Sequence, residues 1–154
     1  MLPKRIQLLV DAAQAEADAR PDFLAIKGPG AGDRSSAAFV AALRAKAKAL
    51  LGSDLAEYPV LRETAVRVDY WFPEEETILE VALSLRNPLS EFERDVLKAV
   101  IARAEGLRVT HLVVVAKQDA RTRIGSPWYR KVVDWAQSQG IEVTFHELHA
   151  NAAT

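Results

Sequence analysis

Asp69 and Glu80 are the two residues whose type and spacing point most directly to chemistry. Asp69 lies in Arg67-Val68-Asp69-Tyr70-Trp71-Phe72 and Glu80 in Ile78-Leu79-Glu80-Val81-Ala82-Leu83. Both runs alternate as β-strands do. Val66, Val68, Tyr70 and Phe72 share one face, and Arg67, Asp69 and Trp71 the other; Leu79, Val81, Leu83 and Leu85 alternate with Ile78, Glu80, Ala82 and Ser84. Pro73-Glu74-Glu75-Glu76 reads as a hairpin loop. With a loop of that length Phe72 pairs with Thr77, and Asp69 falls opposite Glu80. Directly opposed side chains have Cβ atoms about 4.5–5.5 Å apart, where like charges destabilise a sheet. A divalent cation removes that cost, and two carboxylates suit Mg²⁺. The same acids also fit the wet face of an ordinary antiparallel sheet.

Composition narrows the alternatives. A chain of 154 residues is expected to form one domain, and 49% hydrophobic with 27% charged residues is the balance of a soluble globular protein. The absence of cysteine excludes disulfides, thiolate chemistry and Cys-rich zinc sites. His111, His146 and His149 have no metal-site spacing and read as solvent-exposed or strand-end residues. A net charge of −1 carries no global nucleic-acid signal. No apolar stretch is long enough for a transmembrane helix, and the apolar run after Lys4-Arg5 is too short for a signal peptide. A cytoplasmic protein without membrane association is the expectation.

The elements that must position the acids follow from periodicity and punctuation. Residues 4 to about 20 read as a helix stopped by Pro21. Residues 28–36 are a Gly-rich linker without the Gly-Lys-Ser/Thr ending of a phosphate loop. Ser35 or Ser36 is expected to cap a helix from Ala37 to Leu51, ended by Gly52. A short strand near Tyr58–Leu61 precedes the two acid-bearing strands. Ser90 with Glu93 forms a capping-box pattern for a helix running to about Glu105. Residues 110–116 are a continuous apolar strand, as in the centre of a sheet. Ser126-Pro127 opens another helix, to about Gln139, and residues 141–148 form a last strand. Residues 1–34 read as a helical extension and loop, 35–149 as an α/β domain with helices covering a sheet, and 150–154 as a tail.

This order, with acids at these places, resembles the PD-(D/E)XK nuclease superfamily, the restriction-endonuclease-like fold. Val68-Asp69 stands where that family has Pro-Asp, and Glu80-Val81-Ala82 stands for Glu-X-Lys. The resemblance covers roughly residues 36–148 and rests on order and spacing more than on identity. It implies a three-layer core, a mixed central sheet built as helix, three-strand meander, helix, strand, helix, strand, with helices on both faces. It implies Mg²⁺ (or Mn²⁺) held by Asp69 and Glu80, with the Val81 carbonyl as a further ligand, and hydrolysis of phosphodiester bonds. Ala82 departs from the pattern, because a lysine usually stands there. Some family members have moved a functional side chain to the following helix. At about 100° per residue, Leu89, Phe92, Val96 and Val100 share one arc of that helix, Glu93 falls within it and Lys98 points nearly opposite. Glu93 is therefore a catalytic candidate, with capping as its alternative role. Lys98 is the candidate by chemistry, although its place on the wheel reads as a solvated lysine.

The segment 117–131 carries Lys117, Arg121, Arg123, Arg130 and Lys131 against Asp119 alone. These five are the candidate phosphate contacts. Trp128 is available to stack on bases, with anchoring of the helix as its alternative role, and Trp135 is expected in the core. The leading expectation is a metal-dependent DNA endonuclease of restriction or repair type, a homodimer because two-fold symmetry supplies two active sites for a duplex. The alternatives are a nuclease-like nucleic-acid-binding or assembly module without catalysis, and an unrelated α/β domain binding a small molecule or protein.

Overall fold

A computed structural model describes residues 1–25, 33–82, 88–117 and 125–150. The chain divides into two compact units, Met1–Asp54 with Leu148–Thr154, and Leu55–Glu147. The first unit therefore includes the helix assigned above to the α/β part. Among the described residues no helix is long and apolar enough to cross a membrane.

The first unit holds α1 (Lys4–Asp18), α2 (Pro21–Ala25) and α3 (Asp33–Leu51). α1 ends at Asp18, ahead of Pro21, and Pro21 also opens α2, since its fixed φ suits a first helical position. Neither Ser35 nor Ser36 is the cap of α3, which begins before them at Asp33. Phe23 and Phe39 stack with ring centroids 4.4 Å apart and join α2 to α3. Glu16, buried on α1, is held by Lys46 Nζ at 2.7 Å and Arg20 Nε at 2.8 Å.

The second unit is α/β. Its strands β1 (Ala56–Pro59), β2 (Arg67–Phe72), β3 (Thr77–Ala82), β4 (His111–Lys117) and β5 (Glu142–Leu148) belong to a five-stranded sheet in that order, β5 extending one residue beyond the unit. β1 and β3 both run antiparallel to β2, while β3 and β4 are parallel, so the sheet is mixed. Pro59 is tolerated because β1 is an edge strand. The β2–β3 register is the expected one, with Phe72 opposite Thr77 and Tyr70 opposite Leu79. Leu83 and Leu85, expected on the same face as Leu79, lie outside the described residues.

Among the described residues the helices of this unit are α4 (Pro88–Ala104) and α5 (Pro127–Ser138). Ser126 caps α5 as anticipated, its side chain accepting from Tyr129 N–H. Ser90 lies within the first turn of α4 rather than ahead of it, so it is not that helix's N-cap. α4 packs on β3 and on α5. Phe92, Val96, Ala99 and Ala102 of α4 join Val68, Trp71, Ile78, Ala82 and Leu112 of the sheet in one core. That packing removes the wet face proposed for the acidic strands. Trp71, Ile78, Glu80 and Ala82, all on the acid-bearing face, are buried.

Candidate functional site

At Asp69 and Glu80 the hairpin ladder gives way to side chains. Val81 N–H donates to Asp69 Oδ2 at 2.7 Å, and Asp69 N–H donates to Glu80 Oε2 at 3.3 Å. Each carboxylate thus reaches across to a main-chain amide of the opposite strand. These bonds satisfy backbone donors just beyond the Tyr70–Leu79 pair. They also bring together two acids that would otherwise repel.

α4 supplies the rest of the site. Lys98 Nζ lies 2.6 Å from Glu80 Oε1 and 2.9 Å from Asp95 Oδ1, and donates to the Arg67 carbonyl at 3.2 Å. The Lys98 side chain is only 14% exposed. Its expected place opposite the buried arc is therefore corrected. Among the described side chains of α4, those buried are Phe92, Asp95, Val96, Ala99 and Ala102. Their arc is turned by roughly 70° from the one drawn through Leu89, Phe92, Val96 and Val100, at about 100° per residue. Lys98 then sits on its flank, and a long flexible stem carries the ammonium inward.

Three carboxylates and one ammonium converge where little water enters. Burial pushes the Glu80 carboxyl well above its ordinary 4.5, and Asp95 and Asp69 push the same way, against the opposing pull of Lys98. Burial also raises Asp95; Lys98 opposes this, Asp69 adds to it, and Arg94 opposes it more weakly. For Lys98 burial alone acts downward, but Glu80 and Asp95 outweigh it and hold the ammonium above 10.5. The cluster is short of positive charge.

Ala82 is buried on the same strand face as Glu80. The ammonium beside Glu80 comes from α4. Among Glu91, Glu93, Arg94, Asp95 and Lys98, the charged residues this helix offers, the sequence assigns Asp95 no role of its own; its signal is the Asp95–Lys98 spacing of three beside Ala99 and Ala102, small residues that mark the buried flank. Glu93 belongs to a different contact, accepting a hydrogen bond from the Trp128 indole across α4 and α5.

Among the expected phosphate contacts, Lys117 ends β4 and is half-buried, while Arg121 and Arg123 lie outside the described residues. Arg130 folds back onto the Gly125 carbonyl at 2.9 and 3.2 Å, and Lys131 is exposed. Trp135 is 42% exposed, contrary to the expectation of a core residue, and Trp128 is 52% exposed. Tyr129 and Ala136 are the residues α5 buries instead, Tyr129 against Phe92 with centroids 5.2 Å apart.

Among the described residues no group of three or more His, Cys, Asp or Glu side chains is arranged to hold a metal ion. The paired acids nonetheless offer the hard oxygen donors Mg²⁺ prefers, and that ion is commonly held by one or two carboxylates with water completing its shell. No family model, no curated protein and no solved structure matches this chain.

Proposed function

We propose that this protein is a divalent-metal-dependent DNA endonuclease with a restriction-endonuclease-like core, acting as a homodimer of restriction or repair type. The observation that carries the reading is the convergence of Lys98 with Asp69 and Glu80. An ammonium from the helix after the meander stands beside the strand carboxylates, and Ala82 leaves the usual lysine position without one. The order of elements and the antiparallel β1–β2–β3 meander followed by a parallel β4 also agree with it.

In this reading Asp69 and Glu80 hold Mg²⁺ or Mn²⁺. When bound, the ion polarises a phosphoryl oxygen and lowers the pKa of a coordinated water. The backbone bonds from Val81 and Asp69 orient the two carboxylates. Lys98 places a positive charge where negative charge develops on the phosphoryl oxygens. Lys131 and Arg130 neutralise flanking phosphates, and Trp128 offers a stacking surface.

A second reading, a nuclease-like DNA-binding module without catalysis, draws on the three contacts of Lys98. Glu80 and Asp95 lie at ion-pair distance from the ammonium and the Arg67 carbonyl accepts a hydrogen bond from it, as in a structural clamp. Incubation with supercoiled DNA and Mg²⁺ or Mn²⁺ separates the two. Cutting by the native protein, abolished in both Asp69→Ala and Glu80→Ala, supports the nuclease. Binding without cutting supports the module, and neither binding nor cutting removes both.

A further inference from the structure

We infer that Asp95 is a positioning residue for the carboxylate site, a second seat that keeps the Lys98 ammonium beside the strands when a divalent cation takes Glu80. The inference rests on the metal-binding role proposed for Asp69 and Glu80.

The geometry leads there in three steps. First, Lys98 Nζ is shared, at 2.6 Å from Glu80 and 2.9 Å from Asp95. A cation on Glu80 competes with the ammonium for the same carboxylate, and like charges so close repel. The ammonium must then move off Glu80 or exclude the ion. Second, Asp95 is buried, and α4 continues through it without a break. An ionised carboxylate in such a place is costly unless a cation stays with it. Third, Asp95 lies one helical turn before Lys98, where i and i+3 side chains meet on the same face. The lysine can therefore leave Glu80 while keeping Asp95, without any movement of α4. The Arg67 carbonyl on β2, at 3.2 Å, supplies a strand-side contact for the same ammonium.

Without Asp95 the Lys98 ammonium would rest on Glu80 as its only carboxylate and obstruct the metal. With Asp95 the displaced charge stays next to the site, available to a phosphate. Asp95 acts through Lys98 in this scheme and does not itself hold the ion.

The test is a crystal structure of the native protein with Mn²⁺, located by its anomalous signal, together with calorimetric Mn²⁺ titration of the native protein and of Asp95→Asn. The expected structure has Mn²⁺ on Asp69 and Glu80, with Lys98 Nζ off Glu80 and still bonded to Asp95. Asp95→Asn is expected to bind Mn²⁺ about 10–100-fold more weakly, the usual cost of losing a residue that supports a metal ligand. Mn²⁺ on Asp69 and Glu80 with Lys98 unmoved, Mn²⁺ coordinated directly by Asp95, or equal affinity in the variant overturns this inference and leaves the metal site standing. No Mn²⁺ binding by the native protein overturns the metal site and this inference together. The structure of the native complex decides the matter even if Asp95→Asn does not fold.

Discussion

Among the described residues two glutamates are buried against lysines, and the two clusters differ in charge balance. Glu16 in the helical unit is one acid between two cations, Lys46 at 2.7 Å and Arg20 at 2.8 Å. Their hydrogen bonds, Lys46 first and then Arg20, hold its carboxyl below 4.5. Glu80 in the α/β unit lies with Asp69 and Asp95, and Lys98 is the cation at ion-pair distance from it and from Asp95. Burial and the neighbouring acids drive it well above 4.5. The lysine contacts are almost the same length, yet one carboxylate is satisfied and the other is not. A cluster with cations in excess needs nothing further. A buried cluster with acids in excess gains by taking up positive charge, and functional sites commonly store such imbalance.

Replacing the lysines should separate the clusters most sharply. Lys98→Met leaves buried acids without their ammonium and is expected to cost about 3–5 kcal/mol in urea unfolding. In the DNA-cleavage assay the same change should reduce turnover by about 10²–10³-fold if Lys98 stabilises developing charge. Unchanged cutting would assign Lys98 to structure alone. Lys46→Met should cost no more than about 1 kcal/mol, because Lys46 is half exposed and Arg20 remains on Glu16.

Divalent metal should favour only the acid-rich cluster. Mn²⁺ at about a hundred times its dissociation constant should stabilise the native fold by about 2.7 kcal/mol, read as a rise in Tm. Asp69→Ala should abolish the rise, and Glu16→Gln should leave it intact. A rise of equal size in Asp69→Ala would place the ion elsewhere.

The pH dependence should have opposite signs. The Glu16 carboxyl is held below 4.5, so its contribution is complete above 4.5 and is lost as pH falls through the lower folded value. Glu80 is held well above 4.5, so the folded protein keeps a proton that the unfolded chain releases. Its contribution therefore declines as pH rises from 4.5 toward the folded value. Near neutral pH, Glu80→Gln should stabilise by about 1–3 kcal/mol, the scale of a buried polar group poorly matched to its surroundings. Glu16→Gln should destabilise by no more than about 1 kcal/mol there. Both effects should fade in chemical unfolding well below pH 4.5. The same sign for both variants would remove the contrast.

The smallest expected effect concerns DNA contact outside the two clusters. Lys131→Ala should weaken DNA binding severalfold and lower the slope of log K against log salt by about 0.9, one phosphate contact. An unchanged slope would remove Lys131 from the interface.

Much of the hairpin is legible in the sequence alone. Proline and a run of glutamates set the loop between alternating strands, and alternation has only one register that keeps Tyr70 and Leu79 together. The parallel strand β4 was legible as an unbroken apolar run. α4 was legible as a helix but not in its orientation. Its buried arc includes Ala99, Ala102 and an acid, and a wheel weighted by large apolar residues turns away from them. Trp135 misled in the opposite sense, because a large aromatic residue carries a core expectation that only packing can refuse.

The sequence by itself thus determined the α/β order, the β2–β3 register and the confrontation of Asp69 with Glu80. Those depend on chain-local rules: side chains alternate along a strand, and a loop of given length sets its pairing. Only the tertiary structure decided that the acid-bearing face is buried, that Lys98 and Asp95 complete the cluster, and that Glu93 turns to Trp128. Those depend on how α4 is rotated against the sheet. That rotation follows from the summed fit of small and large side chains across the interface, a quantity no single segment contains.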